Sequence, residues 1–263
     1  MNAASENKRG AGQGTPAATC ASPRVLAVLC TYNEVENLPK LFEQLDDHLP
    51  NALRLVVDDN SPDGTSEWVL ARQQQEIASS GTAQTNLFKR SGKLGLGTAL
   101  RDGIRWCLEQ DFDFLINLDA DISHQPLAAP LMLDLAEEKQ HDVVVGTRYA
   151  PGGSSPGLPF HRKIISRCLN SYALRILGLP ISDCSGSYRC YRVAKLRELD
   201  LDLLTCPGYG FLEEILVALK RNNASFGEIP IAFDCRYAGE SKLSLKDAWG
   251  AIRTIHRLAI RGS

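Results

Sequence analysis

The feature that most constrains the fold is the alternation of short apolar runs with helical patterns along much of the 263-residue chain. Residues 25–30 and 53–57 are apolar and rich in β-branched residues, and each run is followed by a polar cluster and then by a helical pattern. Similar strands are predicted at 85–89, 112–118, 142–146 and 185–191, and the first helix is predicted over residues 35–48. Strands that alternate with helices indicate an α/β fold with a mostly parallel central sheet and helices on both faces. In such folds, ligands bind beyond the carboxyl ends of the strands.

Bulk properties argue against several other classes of protein. The formal net charge of −2 provides no global basic field, so we expect no nucleic-acid partner. No stretch reaches the roughly 18 to 20 apolar residues of a membrane span, and any membrane contact is predicted to be peripheral. The eight cysteines show no CxxC pair, so free buried thiols are expected rather than disulfides or a zinc site.

The chain divides into three predicted regions. Residues 1–23 are mostly small and polar and lack the apolar core of a signal peptide, which predicts a disordered tail. Residues 24–245 are predicted to form the α/β domain, and residues 246–263 a basic amphipathic helix. A helix beginning at Arg162 has a similar mixture of residues. Both helices fit either contact with a membrane interface or ordinary packing with a solvated edge.

The first candidate site is a carboxylate pair, Asp119-Ala120-Asp121, directly after an apolar strand. Residues two apart in an extended backbone project to the same side, so both carboxylates can face one cation. Hard oxygen ligands suit Mg²⁺ or Mn²⁺, which can bridge to a substrate diphosphate. Asp-x-Asp alone is more often a solvated turn, and its position after a buried strand is what favours a metal site.

The second candidate lies after residues 53–57. Asp59 is suited to accept hydrogen bonds from ribose hydroxyls or a base edge, whereas Asp63 and Gly64 are assigned to a turn that starts a helix. Gly95 and Gly97 indicate a close backbone approach, but their surroundings fit neither a P-loop nor a G-x-G-x-x-G motif.

Later basic residues are candidates for phosphate binding, because guanidinium forks match phosphate oxygens. The candidates are Arg148, Arg162, Arg167, Arg236 and Lys242. Two further features stay open. The Glu213-Glu214 pair fits a helix start as well as a site, and the histidines at 124, 141 and 161 have no metal-ligand spacing with one another.

Eight strings, spread in order from residue 31 to residue 243, carry a resemblance to a known family. They are Thr31-Tyr-Asn-Glu34 with Asn37-Leu-Pro39, Val57-Asp-Asp-Asn-Ser-Pro-Asp-Gly-Thr65, Lys93-Leu-Gly-Leu-Gly-Thr-Ala99, Asp119-Ala-Asp-Ile-Ser-His124, Gly146-Thr-Arg-Tyr149, Arg162-Lys-Ile-Ile-Ser-Arg167, Gly186-Ser-Tyr-Arg189 and Tyr237-Ala-Gly-Glu-Ser-Lys-Leu243. The chain resembles the family 2 inverting glycosyltransferases, most closely the dolichol-phosphate (polyprenol-phosphate) mannosyltransferases. The resemblance implies a Rossmann-like GT-A catalytic domain over residues 24–245.

The resemblance also implies roles on the donor side. The nucleoside would be held by Tyr32, Glu34, Val57 and Asp59, with a backbone contact at Cys30, where relatives usually have Pro. The metal and diphosphate would be held by Asp119, Ala120 and Asp121. Ser123 stands where some family members have a Gln metal ligand.

On the acceptor side, the resemblance implies a phosphate site at Arg148, Arg162 and Ser166, with Arg148 also near the donor. Arg236 and Lys242 would lie on a loop that closes over the donor and stabilises the departing diphosphate. Asp121 would orient the metal rather than remove a proton.

The reaction implied by the resemblance is transfer of mannose, with inversion, from GDP-mannose to dolichyl or polyprenyl phosphate. It would need Mg²⁺ or Mn²⁺ and would occur at the cytoplasmic face of a membrane, with or without a small membrane-protein partner. Two alternatives stay open: a UDP-sugar donor carrying glucose or an amino sugar, and a non-catalytic module that only binds nucleotide sugars. A nucleotidyltransferase is disfavoured, because residues 31–34 are not the Gly-rich loop expected after the first strand.

Overall fold

The computed structural model describes residues 22–234 and 245–260. Within these ranges the chain forms a seven-stranded sheet with helices on both faces. The strands are β1 (Val25–Thr31), β2 (Leu53–Asp58), β3 (Thr85–Lys89), β4 (Phe114–Asp119), β5 (Val143–Thr147), β6 (Arg189–Arg192) and β7 (Phe226–Pro230). The helices are α1 (Leu38–His48), α2 (Thr65–Ser80), α3 (Leu96–Leu108), α4 (Ala128–Glu138), α5 (Phe160–Leu177), α6 (Val193–Leu196), α7 (Gly210–Arg221) and α8 (Leu245–Ile260).

The strand order is β3-β2-β1-β4-β6-β5-β7, and β6 alone runs antiparallel to its neighbours β4 and β5. The predicted α/β class with a mostly parallel sheet is therefore confirmed. Because six of the seven strands run the same way, the ends of β1, β2, β4, β5 and β7 lie along one edge of the sheet. The reversed strand β6 starts at that edge, so the loop before β6 also arrives there.

The core forms on both faces of the sheet, because successive side chains of a strand point to opposite sides. Leu26 and Val28 of β1 belong to the core cluster under α3 and α7, whereas Ala27 and Leu29 belong to the cluster under α1 and α4. All four side chains are 0% exposed. Burying a leucine-sized side chain contributes about 1.5–3 kcal/mol to folding, so these central strands form a rigid base for the loops at the edge.

Several predicted boundaries shift for local reasons. The helix predicted from residue 35 begins at Leu38, because the carbonyl of Glu34 first accepts the N–H groups of Asn37 and Leu38 in a turn. The strand predicted over 185–191 is shorter, since the carboxylate of Asp183 binds the backbone N–H groups at 185 and 186 and turns the chain there. Helix α6 and the 3-10 turn Leu201–Leu203 were not predicted.

The helix predicted from residue 246 begins at Leu245 and ends at Ile260, and it packs against α5 and α7. Ile255 and Leu258 are 4% and 3% exposed, and the hydroxyl of Tyr172 is 2.6 Å from Nε2 of His256. One face of this helix is thus packed in the core. Contact of its other face with a membrane stays a prediction. The tail predicted over residues 1–23 lies almost wholly outside the described residues.

The thiols follow the prediction in part. Cys107, Cys184, Cys190 and Cys206 are buried and free, whereas Cys30 is half-buried. Cys168 is exposed, so the expectation of burial is wrong for that residue, which lies on the outer side of α5. Within the described residues, no helix combines the length and apolar character needed to cross a membrane.

Candidate functional site

The site forms where the ends of three neighbouring strands meet. In the sheet, Cys30 of β1 lies between Val57 of β2 and Asp119 of β4, and Thr31 pairs with Asp58. The polar clusters that follow these strands are far apart in sequence, and the parallel register brings them to one edge. The predicted convergence of the strand-end clusters is therefore present in the fold.

The carboxylate pair lies at the end of β4. The side chain of Asp119 is 30% exposed, and its Oδ1 accepts a hydrogen bond of 2.6 Å from the hydroxyl of Ser187. Asp121 is 5% exposed, and its Oδ1 accepts hydrogen bonds from the N–H and the hydroxyl of Ser123. Ile122 has φ 62°, an unusual value for a β-branched residue. Strain of this kind is tolerated where the surroundings hold a turn in place, often at a functional site.

The donor set at Asp119 and Asp121 suits a metal shared with a substrate. No group of three or more His, Cys, Asp or Glu side chains within residues 22–234 and 245–260 is arranged to hold a metal ion. Mg²⁺ is commonly held by one or two carboxylates while substrate phosphates and waters supply the other oxygens. Two carboxylates at a strand end match that pattern. The hydroxyl of Ser123, which is 0% exposed, is engaged by Asp121.

His124, for which the sequence indicates no role, lies next to the carboxylate pair. The ring is 1% exposed, with Nδ1 3.4 Å from the backbone N–H of Asp119 and 3.5 Å from its Oδ2. Burial lowers the pKa of His124 even though the charges of Asp119 and Asp121 act in the opposite direction. The imidazole is therefore neutral, and its Nδ1 can accept the N–H of Asp119.

The residues expected at the nucleoside line the end of β1 and the loop after β2. Tyr32 is half-buried, and Nζ of Lys93 lies 3.8 Å from the centre of its ring. Glu34 accepts a hydrogen bond of 2.6 Å from the amide of Asn37. The side chain of Val57 is 0% exposed in the core, so any contact with a ligand would involve its main chain. Burial, and then the charge of Asp119, raises the pKa of the Cys30 thiol.

Asp59 forms a buried ion pair that the sequence did not indicate. Its Oδ1 pairs with the guanidinium of Arg90, and its Oδ2 accepts a hydrogen bond of 3.0 Å from the N–H of Gly95. Arg90 also contacts Asp102 at 3.1 Å and donates to the hydroxyl of Thr98 at 2.7 Å. Asp59 thus attaches the Gly-containing loop to the end of β2.

The close approach predicted at the two glycines is to backbone. A Cβ at Gly95 would lie 2.6 Å from the carbonyl oxygen of Pro207, and one at Gly97 would lie 2.4 Å from that of Cys206. The turn assigned to Asp63 and Gly64 is also present, since Gly64 has φ 93°. Burial acts to raise the pKa of Asp63, but its carboxylate accepts the hydroxyl and the N–H of Thr65 and the N–H of Val35, and these bonds hold the pKa below the usual range.

The basic side of the site is built around Arg148, just after β5. Its Nε lies 2.7 Å from Oδ2 of Asp183, and its Nη2 lies 2.9 Å from Oδ1 of Asp183 and 2.7 Å from the hydroxyl of Ser185. Burial acts to lower the pKa of Arg148, but the hydrogen bonds and charge of Asp183 raise it above its usual value. Asp183 is 0% exposed, and Arg148 holds its pKa below the usual range against the effect of burial.

Tyr149 connects Arg148 to the start of α5. Its hydroxyl is 2.7 Å from that of Ser166, and its ring centre is 5.1 Å from Cζ of Arg148 and 6.0 Å from Cζ of Arg167. Arg162 lies in the first turn of the same helix. Arg148 and Ser166 are therefore brought together, as the acceptor-phosphate assignment requires, through a tyrosine that was not assigned.

Arg236 and Lys242 lie outside the described residues. The described chain before them ends at Asp234, whose N–H donates to the carbonyl of Ser123 at 3.1 Å. The carboxylate of Asp234 also accepts a hydrogen bond of 2.9 Å from the amide of Gln125. Asp234, the last described residue before Arg236, is thus bonded to the loop that carries the carboxylate pair.

The two glutamates of α7 have different surroundings. Glu214 is 4% exposed and accepts the N–H of Cys206 at 2.8 Å, which is a structural role. Glu213 is half-buried in the first turn, where burial raises the pKa of its carboxyl to about 7 against the lowering effect of Arg189.

Comparisons with known proteins agree with this fold and identify a family. The family described as "Glycosyl transferase family 2" matches residues 27–200. An undecaprenyl-phosphate mannosyltransferase from Micrococcus luteus is 40% identical over 221 residues, which cover 84% of this chain and 88% of that protein. A polyprenol monophosphomannose synthase from Mycolicibacterium smegmatis is 35% identical over 262 residues, which cover 100% of this chain and 96% of that protein.

Solved structures with the same fold include glucosyl-3-phosphoglycerate synthase from Mycobacterium tuberculosis. The complex of that enzyme with Mn²⁺, UDP-glucose and phosphoglyceric acid has a TM-score of 0.63 at 17% identity, and covers 90% of this chain and 80% of that one. Its complex with Mg²⁺ and UDP has a TM-score of 0.60 at 17% identity over the same shares of the two chains.

The fold is of the GT-A type, and together with the family match it defines a glycosyltransferase. The chain belongs to glycosyltransferase family 2. The two relatives above, which match most of its length, are named as an undecaprenyl-phosphate mannosyltransferase and a polyprenol monophosphomannose synthase.

Proposed function

We propose that this enzyme transfers mannose, with inversion, from GDP-mannose to a polyprenyl phosphate, with Mg²⁺ or Mn²⁺ as cofactor. The observation that carries the proposal is the meeting of two opposite kinds of site at one edge of the sheet. Oδ2 of Asp119 lies 3.5 Å from Nδ1 of His124, and the ring of Phe233 contacts both His124 and the guanidinium of Arg148. The charges of Asp119, Asp121 and Arg148 all act on the pKa of this histidine. A metal-diphosphate site next to a phosphate site is what transfer from a nucleotide sugar to a lipid phosphate requires.

On the donor side, we assign the metal and the diphosphate to Asp119, Ala120, Asp121 and Ser123. A divalent cation there would neutralise charge that develops on the departing diphosphate. Asp121 is oriented by two hydrogen bonds from Ser123 and is suited to hold its carboxylate in one direction. We assign Arg236 and Lys242 to the same leaving group because their segment follows Asp234, which is bonded to Ser123.

The nucleoside is assigned to Cys30, Tyr32, Glu34, Val57 and Asp59. These residues surround the ends of β1 and β2, next to the carboxylate pair. The ammonium of Lys93 over the Tyr32 ring adds a positive charge on this side of the site.

On the acceptor side, we assign the phosphate to Arg148, Arg162 and Ser166. An oxygen of the acceptor phosphate attacks the anomeric carbon while the bond from that carbon to the diphosphate breaks and the electron pair leaves with the diphosphate. A phosphate monoester has a second pKa of about 6, so at neutral pH it is already a dianionic nucleophile and needs no general base. The task of the protein is therefore to hold two anions in line, which a paired arginine on one side and a cation on the other can do.

The outer face of α5 supports contact with a membrane surface, where the lipid acceptor would be found, and we assign this contact to the cytoplasmic face. Phe160, Ile164 and Ile165 are 78%, 47% and 50% exposed, next to Arg162 and Lys163. Exposed apolar side chains mixed with basic ones are typical of interfacial helices. A small membrane-protein partner would dock on the same face.

The test is incubation of the protein with Mn²⁺, a polyprenyl phosphate and a panel of labelled GDP-mannose, UDP-glucose and UDP-N-acetylglucosamine. We expect a labelled sugar-lipid from GDP-mannose alone, and none after chelation of the metal. A sugar-lipid formed from a UDP-sugar instead would mean that the enzyme transfers that sugar and not mannose. Hydrolysis of the donor without sugar-lipid would contradict the acceptor assignment, and binding of donors without turnover would favour a non-catalytic module.

A further inference from the structure

The side chain of Phe233 contacts both the metal loop, residues 119–125, and the arginine assigned to the acceptor site. Its ring centre is 5.3 Å from that of His124, with the two planes at 63°, and 5.3 Å from Cζ of Arg148. The ring of His124 in turn contacts Tyr188, with the centres 5.2 Å apart. Phe233 is half-buried and lies just beyond β7. One aromatic ring thus contacts both the histidine of the metal loop and the arginine.

The backbone fixes the position of this ring. Phe233 forms an antiparallel bridge with His124, and its N–H donates to the carbonyl of Ser154 at 2.9 Å. The next residue, Asp234, donates its N–H to Ser123. The ring is therefore held in register with the metal loop on one side and with the loop after β5 on the other.

The guanidinium of Arg148 needs a restraint of this kind. Asp183 and Ser185 engage Nε and Nη2, and Nη1 makes no hydrogen bond to an acceptor within the described part of the chain. Nη1 is therefore the nitrogen that can meet a phosphate. A two-point pair fixes the guanidinium in its own plane but lets it tilt about the line that joins it to Asp183. A ring close to the guanidinium carbon restricts that tilt.

Tyr149 also lies near Arg148, but it cannot provide the same restraint. It is the next residue along the chain, so it moves with the loop of Arg148, and its other contacts are with α5. Among the described residues, Phe233 is the aromatic side chain that contacts both Arg148 and the metal loop.

We propose that Phe233 is a positioning residue that sets the direction of Nη1 of Arg148 relative to the metal loop, and so aligns the acceptor phosphate with the donor. This role rests on the proposed function, since it concerns the phosphate assigned to Arg148. It implies that loss of the ring weakens acceptor binding and lowers turnover while nucleotide binding at the carboxylate pair is kept.

The test compares Phe233→Leu with Phe233→Tyr, which keeps the ring, and with the matched control Phe88→Leu on the edge strand β3. Calorimetric titration with geranyl phosphate should show up to about tenfold weaker binding for Phe233→Leu, because a guanidinium that is not already held in place must be ordered when it binds the phosphate. Phe233→Tyr and Phe88→Leu should stay close to the unmodified protein. Titration with GDP and Mn²⁺ should give the same affinity for all four proteins. In the transfer assay, Phe233→Leu should show a higher acceptor KM and a lower kcat with an unchanged donor KM.

Two results would overturn the role of Phe233. One is unchanged affinity for geranyl phosphate in Phe233→Leu, and the other is an equal loss of affinity for GDP with Mn²⁺ and for geranyl phosphate, which would mean general damage. Failure of the proposed function gives a different result, since the unmodified protein would then form no sugar-lipid. In that case the geranyl phosphate titration still decides whether Phe233 supports an anion site at Arg148.

Discussion

The guanidinium of Arg148 and the carboxylate of Asp183 form a two-point ion pair, with Nε–Oδ2 at 2.7 Å and Nη2–Oδ1 at 2.9 Å. Asp183 is 0% exposed, and the side chain of Arg148 is 12% exposed. Arg148 therefore has two tasks: one edge of its guanidinium neutralises a buried charge, and the other can meet a ligand.

This pairing predicts that Arg148→Ala lowers the free energy of unfolding by about 3–5 kcal/mol, because it leaves a buried carboxylate without its partner. The double variant Arg148→Ala/Asp183→Asn should recover much of that loss. Urea unfolding at pH 7 measures both. The matched control is Arg24→Ala, whose pair with Asp111 is exposed and should contribute less than about 1 kcal/mol. A double variant no more stable than Arg148→Ala would contradict this account.

The same pair sets the response to acid. The pKa of Asp183 is lower in the folded protein than its usual value, so the pair stabilises the fold above the unfolded pKa of about 3.9 and loses this effect as the pH falls through the folded pKa. In Arg148→Ala, burial without this partner raises the pKa of Asp183 instead, so the difference in unfolding free energy between the unmodified protein and the variant should shrink steadily as the pH falls towards about pH 3. A difference that stays the same down to pH 3 would mean that Asp183 is not the group involved.

How much of the site could be predicted depends on how local its signal is. Asp119 and Asp121 are visible in the sequence because they follow an apolar strand, and a parallel sheet gathers such strand ends. Asp183 and Ser187 reach the site through the loop before β6, the one strand that runs backwards, and nothing in its four residues marks that direction. Their partners Arg148 and Asp119 are 35 and 68 positions away.

Asp59 illustrates a second limit of the sequence. A carboxylate at a strand end predicts a ligand, but it equally fits a partner from the next strand, and Arg90 follows β3 directly. Whether Asp59 binds a ligand or a protein side chain depends on which groups lie within about 3 Å of its carboxylate, and spacing along the chain does not show this. His124 is similar, since its neutral state follows from burial that only the folded chain provides.

The pair of Asp59 and Arg90 predicts that both residues support donor binding through the loop at Gly95. Asp59→Asn and Arg90→Gln each remove one partner of a buried charge-assisted bond, so each should raise the donor KM by about tenfold or more. The donor KM should be measured at saturating acceptor, with Lys89→Gln at an exposed position as control. If Asp59→Asn raises the donor KM and Arg90→Gln does not, Asp59 binds the nucleoside directly.

The carboxylate pair predicts a metal-dependent leaving-group site. Asp121→Asn should lower kcat by about a hundredfold to a thousandfold or more, the range seen when one electrostatic stabiliser of a transition state is removed. Titration with GDP provides a second readout, since Mn²⁺ should strengthen GDP binding to the unmodified protein and should have little effect on the variant. The matched control is Asp111→Asn, because that side chain is 96% exposed. Near-normal turnover of Asp121→Asn would contradict the assignment of Asp121 to the metal site.

The raised pKa of Glu213 predicts that the free energy of unfolding depends on pH in the weakly acidic to neutral range. Burial raises the pKa of its carboxyl from 4.5 to about 7, while Asp183 acts in the same direction and Arg189 in the opposite one. Between these two values the folded protein holds a proton that the unfolded chain has released, so the contribution of Glu213 to the free energy of unfolding falls as the pH rises from about 4.5 to about 7 and is constant above. Glu213→Gln cannot ionise and should lack this part of the slope. Urea unfolding at half-unit steps of pH should therefore show the variant gaining stability relative to the unmodified protein towards pH 7, whereas Glu109→Gln, at an exposed position, should give a parallel curve. Parallel curves for Glu213→Gln would mean that the carboxyl of Glu213 keeps an ordinary pKa and carries a negative charge at neutral pH.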